Sequence, residues 1–324
     1  MKKEDAVIIG AGPCGLAAAI ALQEIGLNPL VIEKGNIVNA IYQYPTHQTF
    51  FSTSEKLEIG DVAFITENRK PVRNQALAYY REVVKRKNIR VHSFELVKEV
   101  TKAEGTDYRI STSKREYASP FVVAATGYYG QPNYMNVPGE DLPKVFHYFK
   151  EGHPYFNQDV LVIGGKNSSV DAALELVKAG ARVTVIYRGA EYSPSVKPWI
   201  LPEFDSLVRN GTIKMEFCAE VQRITEDRVY YRRQDGTEAE VKNDFVFAMT
   251  GYRPDHQFLK KMNIVIDEAS GRPVYNPDTM ESNSEGIYIS GVIAAGNNAN
   301  EIFIENGRFH GGLIAKDIAR KLGL

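Results

Sequence analysis

VIIGAGPCGLAAAI, residues 7–20, is the stretch on which the reading of this chain turns. An apolar run, Val7 to Ile9, meets three glycines spaced G-x-G-x-x-G (Gly10, Gly12, Gly15), and an Ala/Leu-rich stretch follows. That pattern predicts a strand, a tight turn and a helix. Gly10 permits the turn, Gly12 lets the backbone approach a pyrophosphate, and Gly15 lets the helix pack closely on the strand. Backbone N–H groups at the helix start, together with the helix dipole, favour a diphosphate there. Pro13 and Cys14 complete the cradle, and Cys14 is the unusual letter, one of two cysteines in the chain.

The same pattern occurs again. Residues 6–35 (AVIIGAGPCGLAAAIALQEIGLNPLVIEKG) are echoed by residues 159–189 (DVLVIGGKNSSVDAALELVKAGARVTVIYRG). Each unit has an apolar run, a glycine turn, a helical stretch closed by a glycine (Gly26, Gly180) and a second apolar run. Closing glycines are helix C-cap signals. Strands joined through a helix imply parallel pairing, so the expected fold is α/β, with two Rossmann-like dinucleotide-binding domains. Two further segments, PFVVAATGYYGQPNYMNVPG (120–139) and DFVFAMTGYRPD (244–255), each run from an apolar strand through Thr-Gly into a turn-rich stretch. They bracket the second unit and predict that it is inserted into the first. The expected boundaries are 1–130 and 252–324 for the first domain, which takes a last strand and helix from the tail, and 131–251 for the second. The linkers 127–132 and 249–254 are expected to hinge.

Each turn carries its own selectivity signal. Glu33 ends the second strand of the first unit, with Lys34 beside it, and its carboxylate can accept from both ribose hydroxyls of an adenosine. In the second turn (Gly164, Gly165, Lys166, Asn167, Ser168, Ser169) Lys166 stands where the middle glycine belongs and Ser169 where the last one does. Tyr187 occupies the position of Glu33, followed by Arg188. A carboxylate there would repel a 2′-phosphate, whereas a ring face and a guanidinium fork suit one, which favours NADPH over NADH. Lys197 is a second candidate phosphate contact.

Composition limits the other function classes. The chain has 324 residues, 44% of them hydrophobic, and a net charge of −1. No strong field favours nucleic acid or an anionic membrane surface. Lys2 and Lys3 precede an apolar stretch, but Glu4, Asp5 and the glycine turn do not suit a signal peptide. No apolar run reaches the ~18–20 residues that span a bilayer. A cytoplasmic enzyme is expected. The cysteines form no C-x-x-C, and the six histidines show no ligand spacing, so no metal is assigned. Cys218, in IKMEFCAEV, reads as a core residue of a strand.

In the order of its motifs the chain resembles flavoprotein reductases of the low-molecular-weight thioredoxin reductase type over nearly its whole length. Further stretches make it similar to the YpdA-type bacillithiol disulfide reductases: GPCG, YPTHQTFFSTSEKLEIGD, PKVFHYFKEGHPYF, GGKNSSVDAALEL, YRGAEYSPSVKPW and GVIAAGNNANEIFIENGRFHGG. The resemblance implies FAD on the first turn, NADPH on the second, bacillithiol disulfide as substrate, a homo-oligomer, and Cys14 as redox cysteine. It also implies FAD contacts at His47, Gln48, Thr126, Gly127, Gly291, Val292, Ile304 and Glu305, with Ile304, Glu305 and Asn306 opening a helix under the flavin's pyrimidine edge. The chain departs from thioredoxin reductases in lacking their C-x-x-C, and it has Gly291-Val292 in place of their Gly-Asp.

The hard chemistry in such an enzyme belongs to the flavin. A disulfide substrate would meet one thiolate, from Cys14. A free thiol of pKa ~8.5 is about 10% ionised near pH 7.5, and a helix N-terminus offers at most ~2 kcal/mol. The diphosphate at the same helix end opposes that help, so residue physics leaves Cys14 open as a nucleophile or as a small packing residue. Other readings also stand: a ferredoxin- or flavodoxin-NADP reductase-like electron transferase, a flavin monooxygenase, and a redox sensor working through Cys14.

Overall fold

The computed structural model describes residues 2–103, 105 and 107–324. The chain divides into two compact units. One contains the N-terminal residues up to Gln43, His47–Gln131 and Arg253–Leu324; the other contains Tyr44–Thr46 and Pro132–Tyr252.

The first unit is built on a five-stranded parallel sheet in the order Ile287–Ile289, Val122–Ala124, Val7–Ile9, Leu30–Ile32, Arg90–His92. The first four of these strands are buried along their whole length. A parallel strand covered on both faces needs a continuous apolar run, which is why VII, LVI and VVA carry no polar alternation. The helix Pro13–Glu24 follows the first of them and is itself nearly all apolar and buried. It packs between the sheet and the tail helix His310–Leu322. A Cβ on Gly311 would stand 2.7 Å from the Ala18 Cα, so the two helices cross at backbone distance. The tail strand Ile287–Ile289 and helix His310–Leu322 thus complete the first unit. A second sheet, with Glu116–Ser119, Tyr108–Thr112 and Val97–Lys102 antiparallel, adjoins it in the chain.

The second unit repeats the plan. Its parallel sheet runs Ile213–Glu216, Arg182–Ile186, Asp159–Ile163, Phe245–Ala248, Val145–Phe146, and a three-stranded antiparallel sheet accompanies it. Its core is formed by Val160, Val162, Leu174, Leu176, Phe204 and Phe247 with their neighbours.

The internal repeat extends to single hydrogen bonds. Gly10 N–H donates to the Ile32 carbonyl (2.8 Å) and Gly164 N–H to that of Ile186 (2.9 Å). Ala125 N–H donates to Ile9 (2.9 Å) and Met249 N–H to Ile163 (2.8 Å). Both helices also close alike: Leu27 N–H reaches the Leu22 carbonyl and Ala181 N–H that of Leu176, the long bond of a Schellman cap. Where the chain enters and leaves the second unit, the two segments pair as an isolated bridge, Pro132 to Tyr252. Thr250 Oγ1 donates to the Asn133 carbonyl there (2.5 Å).

One sequence expectation fails. Cys218 is not a core strand residue. The strand ends at Glu216, and Cys218 follows in a loop with φ 50° and is only half-buried. Its N–H donates to the Gly189 carbonyl, which turns the chain out of the sheet. No helix among the described residues is long and apolar enough to cross a membrane.

Candidate functional site

The first glycine turn separates two kinds of glycine. Gly10 has φ 111°, and a Cβ there would lie 2.4 Å from the Ala125 carbonyl oxygen. A Cβ on Gly15 would lie 2.1 Å from the Gly10 carbonyl oxygen. These two are glycines because the protein's own backbone fills the space. Gly12 differs: its backbone is extended (φ −73°, ψ 170°), and a Cβ there would meet no protein atom within 4 Å. Its lack of a side chain leaves room at the start of the helix Pro13–Glu24 that the fold itself does not use.

That room opens into a cavity lined by Gly10, Gly12, Glu33, Lys34, Thr126 and Gly127, among others. The Glu33 carboxylate is held in place by the backbone. One oxygen accepts Ala11 N–H at 2.8 Å and the other Gly35 N–H at 2.7 Å. Each carboxylate oxygen can accept two hydrogen bonds, so each retains acceptor capacity. Thr126 Oγ1 is buried and has no protein partner. A buried hydroxyl without a partner is uncommon in a native fold and leaves a hydrogen-bonding atom free at the edge of the cavity.

Cys14 belongs to a second cluster. A Cβ on Gly291 would be 3.2 Å from its Sγ, and one on Gly307 would be 3.0 Å away. The sulfur therefore lies against two glycines from the far end of the chain. Burial pushes the thiol up to about 12. Ile304–Gly307 is a single helical turn, and Phe303 N–H, at its start, is taken by Asn306 Oδ1 (2.7 Å). Such a short turn has little dipole to offer. Glu305 pairs with Lys56 at 3.5 Å, and Val292 is half-buried. Cys14, Gly291 and the turn at Ile304 are thus brought together, apart from the cavity lining. His47 is exposed; the Gln48 carbonyl accepts Arg73 N–H at 2.8 Å, which ties that segment to the helix Arg73–Arg86.

His310 escaped the sequence reading. Its Nδ1 accepts the Gly291 N–H at 3.1 Å, and burial holds its pKa below the usual imidazole value. An Nδ1 that accepts a hydrogen bond carries no proton, which assigns the ring's N–H to Nε2. The signal for it was a histidine beside the paired glycines of FHGG, a pattern with no fixed meaning in sequence.

In the second turn Gly164 repeats Gly10, with φ 138° and a Cβ position 2.5 Å from the Met249 carbonyl oxygen. Ser169 stands in place of the last glycine, and its hydroxyl donates to the Lys166 carbonyl at 2.7 Å. Lys166 and Ser168 are exposed. The Tyr187 ring lies on Gly165, where a Cβ would come within 2.4 Å of it, and also on Gly189. Arg188 beside it is exposed. Asn167 bonds to the loop that carries Lys197: Asn167 Nδ2 donates to the Ser195 carbonyl, and Asn167 Oδ1 accepts Lys197 N–H.

The sequence matches the pyridine nucleotide-disulphide oxidoreductases over residues 7–291. It is 71% identical over 321 residues to Bacilliredoxin reductase Bdr of Bacillus subtilis (strain 168), covering 99% of each chain. The solved Bacillithiol Disulfide Reductase Bdr (YpdA) from Bacillus cereus superimposes with a TM-score of 0.96 at 70% identity, covering 99% of this chain and 100% of that one. A Lactococcus lactis thioredoxin reductase superimposes with a TM-score of 0.80 at 21% identity, covering 99% and 100%, and shows the fold alone.

Proposed function

The chain belongs to the pyridine nucleotide-disulphide oxidoreductase family, and we propose from that premise that it is an FAD-containing, NADPH-dependent reductase of bacillithiol disulfide. Enzymes of this family use FAD and NAD(P)H. The observation that carries the reading is the doubled strand–turn–helix with open space at Gly12, at the helix start where a diphosphate would use the missing side chain's room. The residues fit FAD. Gly12 leaves space for a diphosphate, Glu33 keeps acceptor capacity for ribose hydroxyls, and the orphaned Thr126 hydroxyl needs a partner. Gly10, Pro13, Gly15, Lys34 and Gly127 surround them. Tyr187, Arg188 and Lys197, around the turn Gly164–Ser169, suit the phosphates of NADPH.

Bound FAD supplies a two-electron carrier between the nicotinamide and the disulfide. With no C-x-x-C in the sequence, Cys14 is the redox thiol of this reading. Deprotonated, its sulfur attacks one sulfur of the substrate, forms a mixed disulfide and releases one thiolate. Two electrons then break that bond, release the second thiolate and restore Cys14. The enzyme is read as cytoplasmic and homo-oligomeric.

A second acceptor is favoured by the name of the Bacillus subtilis relative, a bacilliredoxin reductase. The test follows NADPH oxidation by the purified protein with bacillithiol disulfide, with oxidised bacilliredoxin and with ferredoxin. Turnover of bacillithiol disulfide is expected. Turnover with bacilliredoxin alone would make a protein the substrate, and turnover with ferredoxin alone would overturn disulfide reduction.

The two kinds of glycine make a separate prediction. Gly12→Ala should fold normally and lose bound flavin, since the side chain enters only the space given to the diphosphate. Gly15→Ala should lower stability by about 1–3 kcal/mol, because overpacking moves backbone. Thermal melts and flavin absorbance check both. Equal losses of stability would show that Gly12 too is required by the fold.

A further inference from the structure

Asn167 opens the helix Asn167–Lys178, and both functions of its amide are committed to a neighbouring loop. Nδ2 donates to the Ser195 carbonyl at 2.8 Å, and Oδ1 accepts Lys197 N–H at 3.0 Å. Two bonds to backbone atoms two residues apart define the course of the loop. Val196, between them, is buried in the core at 5% exposure, and its N–H closes a turn onto the Ser193 carbonyl at 3.0 Å. The Ser193 and Ser195 hydroxyls bond to each other at 2.8 Å. The Lys197 ammonium lies 5.9 Å from the centroid of the Trp199 ring. Tyr187 packs on Gly165 of the same turn, so the Tyr187-Arg188 segment and the Ser195–Lys197 segment are both held to it.

We infer that Asn167 is a positioning residue for nucleotide selectivity: by clamping Ser195–Lys197 to the glycine turn it presents Lys197, with Arg188, to the 2′-phosphate of NADPH. The inference rests on the NADPH reading above. Lysine has a long, rotatable stem, and a phosphate contact made from an untethered loop would have to order both stem and loop on binding. The Asn167 clamp orders the loop beforehand. It does so with its amide committed to the loop backbone, at a position where the fingerprint carries no fixed letter.

The test measures NADPH and NADH affinity by calorimetry on the holoenzyme, with the fluorescence of Trp199, the sole tryptophan, as local reporter. Wild type, R188A, K197A, N167A and the double variant N167A/K197A are compared. N167A is expected to weaken NADPH about five- to tenfold and NADH much less, as the loss of a preordered contact would. In the K197A background N167A should have little further effect on the NADPH/NADH ratio, since both act through one ammonium. An unchanged ratio in N167A, or an undiminished effect in the K197A background, overturns the inference while R188A still tests the parent reading. Equal binding of the two nucleotides by wild type overturns both. If N167A does not fold, the milder Asn167→Ser carries the same comparison, and each ratio is taken within one folded preparation.

Discussion

Arg188→Ala is expected to weaken NADPH binding by about 10- to 100-fold, the range of a lost hydrogen bond to a charged group, and NADH binding by about threefold or less. The expectation follows from the offset shared by the two repeats. Glu33 ends its strand with a carboxylate held by two backbone N–H groups, which suits ribose hydroxyls and would repel a phosphate. At the matching place Tyr187 lies flat over Gly165, which directs the chain so that Arg188 emerges exposed beside the turn. An exposed guanidinium has no burial to lose, so its removal should leave the melting temperature nearly unchanged. Calorimetric titration with both nucleotides checks it. Equal weakening of NADPH and NADH would remove the 2′-phosphate contact from the account. Higher salt should narrow the wild-type preference, since the contact is a screened charge pair.

Cys14→Ala is expected to lower disulfide turnover by at least about 100-fold, and the wild-type rate should rise with pH. With the thiol pushed up to about 12 by burial, the thiolate at pH ~7.5 is on the order of one in 10⁴–10⁵. An ordinary thiol of ~8.5 has roughly three orders of magnitude more. A more basic thiolate is also a better nucleophile, by ~0.4–0.5 log per unit of pKa, so about half of that deficit returns. The sign is definite: below its pKa the ionised fraction rises tenfold per pH unit. Alkylation of Cys14 by iodoacetamide should therefore climb with unit slope from pH 7 to 9, without a plateau. A plateau near pH 8 would show that Cys14 is activated. Undiminished disulfide turnover by a flavin-loaded Cys14→Ala protein would remove Cys14 from the chemistry.

Much of this was legible in the sequence because the features are local. A strand buried on both faces needs an unbroken apolar run, a left-handed turn needs glycine, and a helix closing in a Schellman cap needs one again. The two repeats satisfy the same local requirements twice, so their strands and helices align even to shared hydrogen bonds. Cys218 was misread for the converse reason. Its apolar neighbours suggested a continuing strand, and only the bond from its N–H to Gly189, a residue of another segment, turns the chain away. His310 and the Asn167 clamp were illegible for the same reason, since each is defined by a partner that sequence spacing does not reveal.

Sequence alone therefore determined the two nucleotide-binding folds, the insertion of one in the other, and the candidate phosphate cradles, because φ requirements and periodicity act over a few residues. Tertiary structure decided what kind of thiol Cys14 is. The helix that carries it was plain from GAGPCG, but its sulfur packs against Gly291 and Gly307 from the other end of the chain, and burial pushes the thiol up. A thiol's ionisation depends on the water around it, and folding alone brings those two glycines against the sulfur.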